Sequence, residues 1–416
     1  MAIGLRTGWQ ATSTTASCCT IARIVQAWTA WQARRVTASL VMKAIRPYID
    51  GGQLPGAVVG VWRDGELSLD AAGATDLQGD APMTGETLVR ISSNTKPLVA
   101  ALTLALADDG VLALEDSVER FVPELGGRRV LRSLGAALED ALPAERSATL
   151  KDLLTMRLGF GFVFEQDCPT LGAATAAGLG IGPPDPSVPL TPDAWIARFA
   201  ELPLLEQPGA VWRYDLAYAV LGVVLTRAGG RPLEELLRER LLDPLGMADT
   251  GFVAPPGRLP PCYAVEASGL ALFDDAADSR WTTTPSFPDA RGGLVSTAGD
   301  LLRFASALLD GGRGVLSAGA VSAMTSDHLT TEQRQAPSAL AFLGGSGWGY
   351  GVQVLTPEHD RSVRRRRYGW GGGLGTLWYS WPDQRTAAVL LTQVLPPSPE
   401  LIAAFTAGVD KVLDAH

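Results

Sequence analysis

The chain is predicted to be an α+β protein, with an antiparallel sheet and covering helices supplied by its two ends and a mostly helical region inserted between them. Three observations predict this. A hairpin pattern lies near the start, a second antiparallel pair lies near the end, and helical periodicity dominates the middle.

Taken in order, Val41, Ile45 and Ile49 mark an amphipathic helix that stops before Gly51-Gly52. Residues 57–62 and 66–71 flank Asp64-Gly65, a two-residue hairpin signal. Segments 98–109, 150–155, 193–200, 216–228, 233–242 and 299–309 read as helices. Loops dense in Pro and Gly separate them, notably 178–191 and 254–262. Residues 376–381 and 386–392 flank Pro382-Asp383-Gln384-Arg385 and read as an antiparallel pair. Leu401, Ile402, Phe405, Val409 and Val412 form a closing amphipathic helix. The expected organisation is an extension over 1–35, a first part of an α/β domain over 36–90, a mainly helical region over 91–289, and the second part of the α/β domain over 290–416.

Composition narrows the function. A chain of 416 residues, 46% of them hydrophobic, buries a large core. A net charge of −9 argues against nucleic acid as a partner. No apolar run reaches the length of a membrane span. The four cysteines, Cys18, Cys19, Cys168 and Cys262, have neither metal-ligand spacing nor the density of a disulfide framework. Residues 1–35 hold no acidic residue and lack a clean apolar core followed by a cleavage site. The cytoplasm is therefore the expected compartment, with secretion left open. Oligomeric state is not readable.

The chemistry centres on Arg90-Ile91-Ser92-Ser93-Asn94-Thr95-Lys96. Ser93 and Lys96 are three apart ahead of an apolar helix, so the hydroxyl and the amine can meet. A serine hydroxyl needs an adjacent base to act as a nucleophile, and a neutral lysine can serve. The pair alone is weak, because the same residues also suit a capped helix start with an exposed lysine. Further motifs follow: Pro208 to Asp215, Arg291 to Asp300, and Tyr368-Gly369-Trp370-Gly371-Gly372-Gly373-Leu374-Gly375.

In this order the motifs resemble the serine β-lactamase/penicillin-binding-protein superfamily, and within it the class C-like esterase branch, the family VIII carboxylesterases. The resemblance spans about residues 36–416. It implies a β-lactamase/transpeptidase-like fold, with the active site in the cleft between the sheet and the helical part. It also implies that no cofactor is needed. Ser93 is then the nucleophile and Lys96 the base, its pKa lowered by burial and a nearby phenol. Tyr214, matching the tyrosine of the family's Tyr-x-Asn motif, relays the proton to the leaving group and activates water. Ser93 and Gly373 N–H groups form the oxyanion hole.

Trp212, Trp370, Gly371, Gly372 and Phe160 are the expected substrate-binding residues, with Phe162, Phe164 and Trp348 as further candidates for an apolar acyl pocket. Alternatives stay open for several of these. Trp212 and Tyr214 also suit aromatic packing, and Gly371 to Gly373 also suit a glycine bulge.

The sequence departs from the lactamase pattern at two places. Leu216 stands where Asn completes Tyr-x-Asn, and Trp370 where Lys begins Lys-Thr-Gly. Both losses point to uncharged, short-chain carboxylic esters. A β-lactamase, D-alanyl carboxypeptidase, amide hydrolase or acyltransferase is the alternative. The run Arg364 to Arg367 either reaches the cleft and binds an anion or forms a solvated edge. Other hydrolase plans lack support. No Gly-x-Ser-x-Gly is present, and the three histidines, His328, His359 and His416, have no triad or zinc context.

Overall fold

The computed structural model describes residues 37–79, 81–359 and 363–415. Expectations for residues 1–35, including Cys18 and Cys19, lie outside the described residues.

A seven-stranded antiparallel sheet forms the backbone of the fold. Its strands are β1 (Gly56–Arg63), β2 (Glu66–Gly73), β3 (Gly347–Trp348), β4 (Gln353–Leu355), β5 (Arg367–Gly372), β6 (Thr376–Trp381) and β7 (Thr386–Leu391). They lie in the order β2-β1-β7-β6-β5-β4-β3. The N-terminal hairpin is thus stitched to the C-terminal strands through β1 and β7, with Val59 opposite Leu390. The Asp64-Gly65 turn has positive φ at both residues, 47° and 90°, the geometry whose twist suits a two-residue hairpin.

Strands β1 and β7 are apolar on both faces because both faces are covered. Ala57, Val59 and Val61, with Ala388 and Leu390, meet the flanking helices α1 (37–50) and α8 (Pro399–Asp414). Val58 and Trp62, with Val389 and Leu391, face the large core of the helical region. At the start of helix α8, Ser398 caps the Leu401 amide and Pro399 occupies the first turn.

The helical region includes α2 (Thr95–Asp108), α3 (Leu150–Leu154), α4 (Pro192–Ala200) and α5 (Ala217–Gly229); α6 (Ala298–Leu309) packs on the sheet against β1 and β7, and α7 (Pro337–Leu343) follows before β3. By helical spacing, the sequence places Leu98, Val99, Leu102 and Leu106 on one face of α2. In the fold every residue from Thr95 to Leu106 is buried, so it is a central helix packed on all sides. Gly110 ends it at φ 75°, and Gly230 ends α5 at φ 64°. The expected helix 233–242 is α-helical only over Leu233–Leu237 and continues as a π-helix over Arg238–Leu242.

One expectation fails. Arg364 to Arg367 is neither a sheet edge nor an arm of the cleft. Arg364 and Arg365 pair with Asp414 and Asp410 of α8, and Arg367 opens β5, an interior strand. His328 is half-buried in the connection after residue 326, stacks on Tyr350 at 4.2 Å, and has its pKa lowered by burial.

Candidate active site

Ser93 sits on a tight turn, Ser92–Asn94, wedged between the sheet and α2. Ser92 adopts φ 48°, a left-handed conformation that a non-glycine residue holds only when its surroundings impose it. They do so here. Thr376 of β6 donates to the Ile91 carbonyl at 2.9 Å and accepts from the Asn94 amide at 3.0 Å. The Ile91 amide is held by the Leu294 carbonyl. Strand β5 runs hard against this turn. A Cβ on Gly372 would lie 2.3 Å from the Ile91 carbonyl, so glycine is required there by close approach rather than by a bulge.

Helical spacing then brings Lys96 to Ser93, with Nζ 3.2 Å from Oγ. Lys96 is fully buried. Its Nζ also donates to the Arg291 carbonyl at 2.8 Å and meets the Asp215 carboxylate at 2.5 Å. It lies 4.4 Å from the centre of the Tyr214 ring. Three acceptors match the three protons of an ammonium. Burial presses the amine toward its neutral form, but Asp215, with help from Tyr214, more than reverses this. The net direction is upward. The expectation that burial and a phenol would lower the lysine pKa is therefore corrected: the sequence reading gave no weight to the carboxylate next to Tyr214.

Tyr214 is carried on the segment leading into α5. Buried Arg213 anchors that segment through ion pairs to Glu206 and Glu165 and a bond to the Phe162 carbonyl. The Trp370 indole N–H donates to the Tyr214 hydroxyl at 2.9 Å. Trp370 thus replaces a cation with a neutral donor aimed at the phenol, a role its position alone did not reveal.

A cleft of about 620 Å³ opens beside these groups. Ser93, Tyr214, Trp370, Gly371, Gly372 and Gly373 line it as expected. Phe160 and Trp212 do not. Phe160 is fully buried edge-on to Phe199, and Trp212 is fully buried, stacked behind Tyr214 and edge-on to Trp348. Both support the wall from inside, because each lies on a core-facing side of its loop. Trp348 likewise packs behind Trp370. Leu216 is buried at the start of α5 and does not reach the cleft.

The sequence reading missed part of the lining. Phe342 of α7 stacks on Tyr214 at 4.5 Å. Phe162, a candidate, meets the same pair, while Phe164 stands exposed at the rim. Gly182, Pro183 and Pro184, from the loop flagged only as Pro/Gly-rich, close another side. Arg291 is the one cation lining the cleft among the described residues. It is held by Asp289 at 2.8 Å and 2.9 Å, donates to the Gly180 carbonyl, and lies 3.5 Å from Asp215. Burial opposes its charge, but the two carboxylates raise its pKa. Arg291 and Asp289 had a signal, since Arg291 opens the quoted Arg-Gly-Gly motif. Among the described residues no cluster of three or more His, Cys, Asp or Glu is placed to hold a metal ion.

A serine held on a tight turn beside strained Ser92, a lysine one helical turn on and a tyrosine against that lysine, set between an antiparallel sheet and a mainly helical region, define a serine acyl-transfer enzyme of the β-lactamase-like fold. The chain belongs to the Beta-lactamase family, whose model matches residues 41–412. It is 36% identical to Protein Rv1367c of Mycobacterium tuberculosis over 383 residues, covering 88% of this chain and 92% of that one. It is 31% identical to Esterase EstB of Burkholderia gladioli over 366 residues, covering 82% and 86%. Among solved structures it is similar to "EstCE1, a hydrolase with promiscuous acyltransferase activity", with a TM-score of 0.77, 25% identity, and coverage of 91% of this chain and 99% of that one. The protein is a serine hydrolase of the esterase branch of this superfamily. Among the described residues no helix is long and apolar enough to cross a membrane.

Proposed function

We propose that the protein is a carboxylesterase that hydrolyses short-chain esters of uncharged acids through an acyl-enzyme on Ser93. One observation carries the substrate class. The cation lining the cleft, Arg291, already holds Asp289, and the buried Lys96 behind it holds Asp215. Trp370 offers its single N–H to Tyr214. A substrate carboxylate therefore finds no unpaired cation, while Phe162, Phe342, Pro183 and Leu377 offer apolar surface.

In this reading Ser93 Oγ attacks the ester carbonyl, and the Ser93 and Gly373 N–H groups receive the developing oxyanion. Tyr214 relays the proton to the leaving alcohol and later activates water. A second reading, transfer to an alcohol, is favoured by the extent of the cleft. It continues past Ser93 toward Leu395, Pro396 and Ile402, leaving room for a second substrate. EstCE1, by its title, pairs hydrolysis with acyl transfer.

The test compares kcat/KM for p-nitrophenyl acetate to hexanoate with that for nitrocefin, a β-lactam carrying a carboxylate. A missing charged hydrogen bond is worth about 1.5–3 kcal/mol, so the esters should lead by roughly ten- to a hundredfold. Equal or better nitrocefin turnover ends the esterase reading. Adding an alcohol acceptor and measuring the ester formed separates hydrolysis from transfer.

A further inference from the structure

Asp215 occupies an unusual place. It follows the candidate relay tyrosine directly, is almost fully buried, and reaches the candidate base with one oxygen and Arg291 with the other. Every other group facing Lys96 is accounted for. Ser93 Oγ and the Arg291 carbonyl accept from it, the Tyr214 ring lies against it, and Arg291 is neutralised by Asp289. A lysine in this setting has three hydrogen bonds to give and no lone pair directed at Ser93.

We propose that Asp215 keeps Lys96 protonated during turnover, so that Lys96 works as a hydrogen-bond donor to Ser93 Oγ and proton transfer falls to Tyr214. The inference rests on the Ser93 acyl-enzyme reading above. In acylation the Ser93 Oγ–carbon bond forms and the carbon–alkoxide bond breaks. The Ser93 proton ends on Tyr214, and the Tyr214 proton ends on the departing alcohol. Tyr214 begins and ends neutral, and Lys96 keeps its three protons throughout. Deacylation runs the same exchange in reverse, with water in place of the alcohol. The Lys96 ammonium stabilises the negative charge that builds on Oγ as its proton leaves. Asp215 is thus a positioning residue that acts through Lys96.

The chain is well suited to a direct test, because it holds only four lysines, Lys43, Lys96, Lys151 and Lys411. Protein labelled with [ε-13C]lysine is titrated by NMR, and the Lys96 signal is assigned by its loss in Lys96→Arg. In the wild-type enzyme the Lys96 signal should keep its ammonium shift to beyond about 10.5, the ordinary lysine value. In Asp215→Asn it should titrate at least about one pH unit lower, since burial is then unopposed. The alkaline limb of kcat/KM should move down by the same amount, and Asp215→Glu should restore both.

A wild-type Lys96 that titrates below about pH 9 overturns the proposal, whatever the variants do. So does an Asp215→Asn enzyme that becomes faster at pH 6–7, which is the behaviour of a lysine that must be neutral to act. The underlying reading fails separately. A fluorophosphonate that leaves Ser93 unlabelled removes the acyl-enzyme without touching the Lys96 titration. A Lys96 titration unchanged in Asp215→Asn, with Ser93 still labelled, removes only the role of Asp215.

Discussion

Two buried cations flank Ser93 in the chain, Arg90 three residues before it and Lys96 three residues after it. Each meets one carboxylate, Asp274 for Arg90 and Asp215 for Lys96. The surroundings then diverge. Arg90 points away from the cleft, where Asp274, the Ser279 hydroxyl and the Pro260 carbonyl accept its bonds. Ser279 and Arg280 in turn hold Asp274. Nothing in that cluster faces the substrate. Lys96 instead spends one of its bonds on the hydroxyl of Ser93, the proposed nucleophile, and its partner carboxylate lines the cleft. Similar pairs, a few residues apart, are thus a fixed brace in one case and, in the proposed mechanism, a working part in the other.

The residue types match the roles. A guanidinium keeps its proton at any working pH, whereas a buried ammonium can release one. Loss of the partner acid should therefore be felt as lost stability at Arg90 and as a changed protonation state at Lys96.

The largest expected effect tests whether the Lys96 side is the working one. Ser93→Ala should lower kcat for p-nitrophenyl acetate by roughly four orders of magnitude or more while leaving Tm within a few degrees. Activity that survives this change places the chemistry elsewhere and dissolves the contrast.

Next in size is the brace. Asp274→Asn leaves Arg90 buried without its counter-ion, which costs about 3–5 kcal/mol. For a chain this long that is a fall of about 3–6 °C in Tm. The kcat of the folded fraction should change far less than in Ser93→Ala. Because arginine keeps its charge, the loss should be flat between about pH 6 and pH 10.

Asp215→Asn should behave differently, and the sign can be worked out. In the wild-type protein the Lys96 pKa is raised above 10.5, so the pair's stabilisation is complete below that value and is lost only as pH rises through the folded pKa. In the variant burial dominates and the folded pKa falls below the unfolded one. The variant should then be least stable at low pH and recover toward wild type as pH approaches about 10.5. Chemical denaturation at pH 6, 8 and 10 reads this slope. A pH-independent deficit would make Lys96 a brace like Arg90.

The smallest effect concerns the indole. Trp370→Phe keeps the ring but removes the N–H donated to Tyr214. One neutral hydrogen bond is worth about 0.5–1.5 kcal/mol, so kcat should fall roughly two- to tenfold with KM little changed. A rise in KM alone would return Trp370 to simple substrate contact.

Much of this molecule was readable before any coordinates. Short apolar runs flanking the turn residues Asp64-Gly65 and Pro382 to Arg385 marked the strand pairs, and longer apolar runs of helical length marked α1, α2, α5, α6 and α8, because those signals are local. The Ser93–Lys96 contact was equally local, being set by one helical turn. Tyr214, Trp370 and Gly373 were placed at the site by motif order alone.

Tertiary structure decided what each residue does. Phe160, Trp212, Trp348 and Phe342 are all aromatics near a glycine or a loop, and nothing in the chain says which side of the wall they occupy. Only packing puts Phe342 in the cleft and the others behind it. The lysine's protonation state was decided in the same way. It depends on a carboxylate 119 positions away in sequence and 2.5 Å away in space. Local sequence sets spacing along one element, whereas electrostatic balance is a sum over every charge that folding gathers around a buried group.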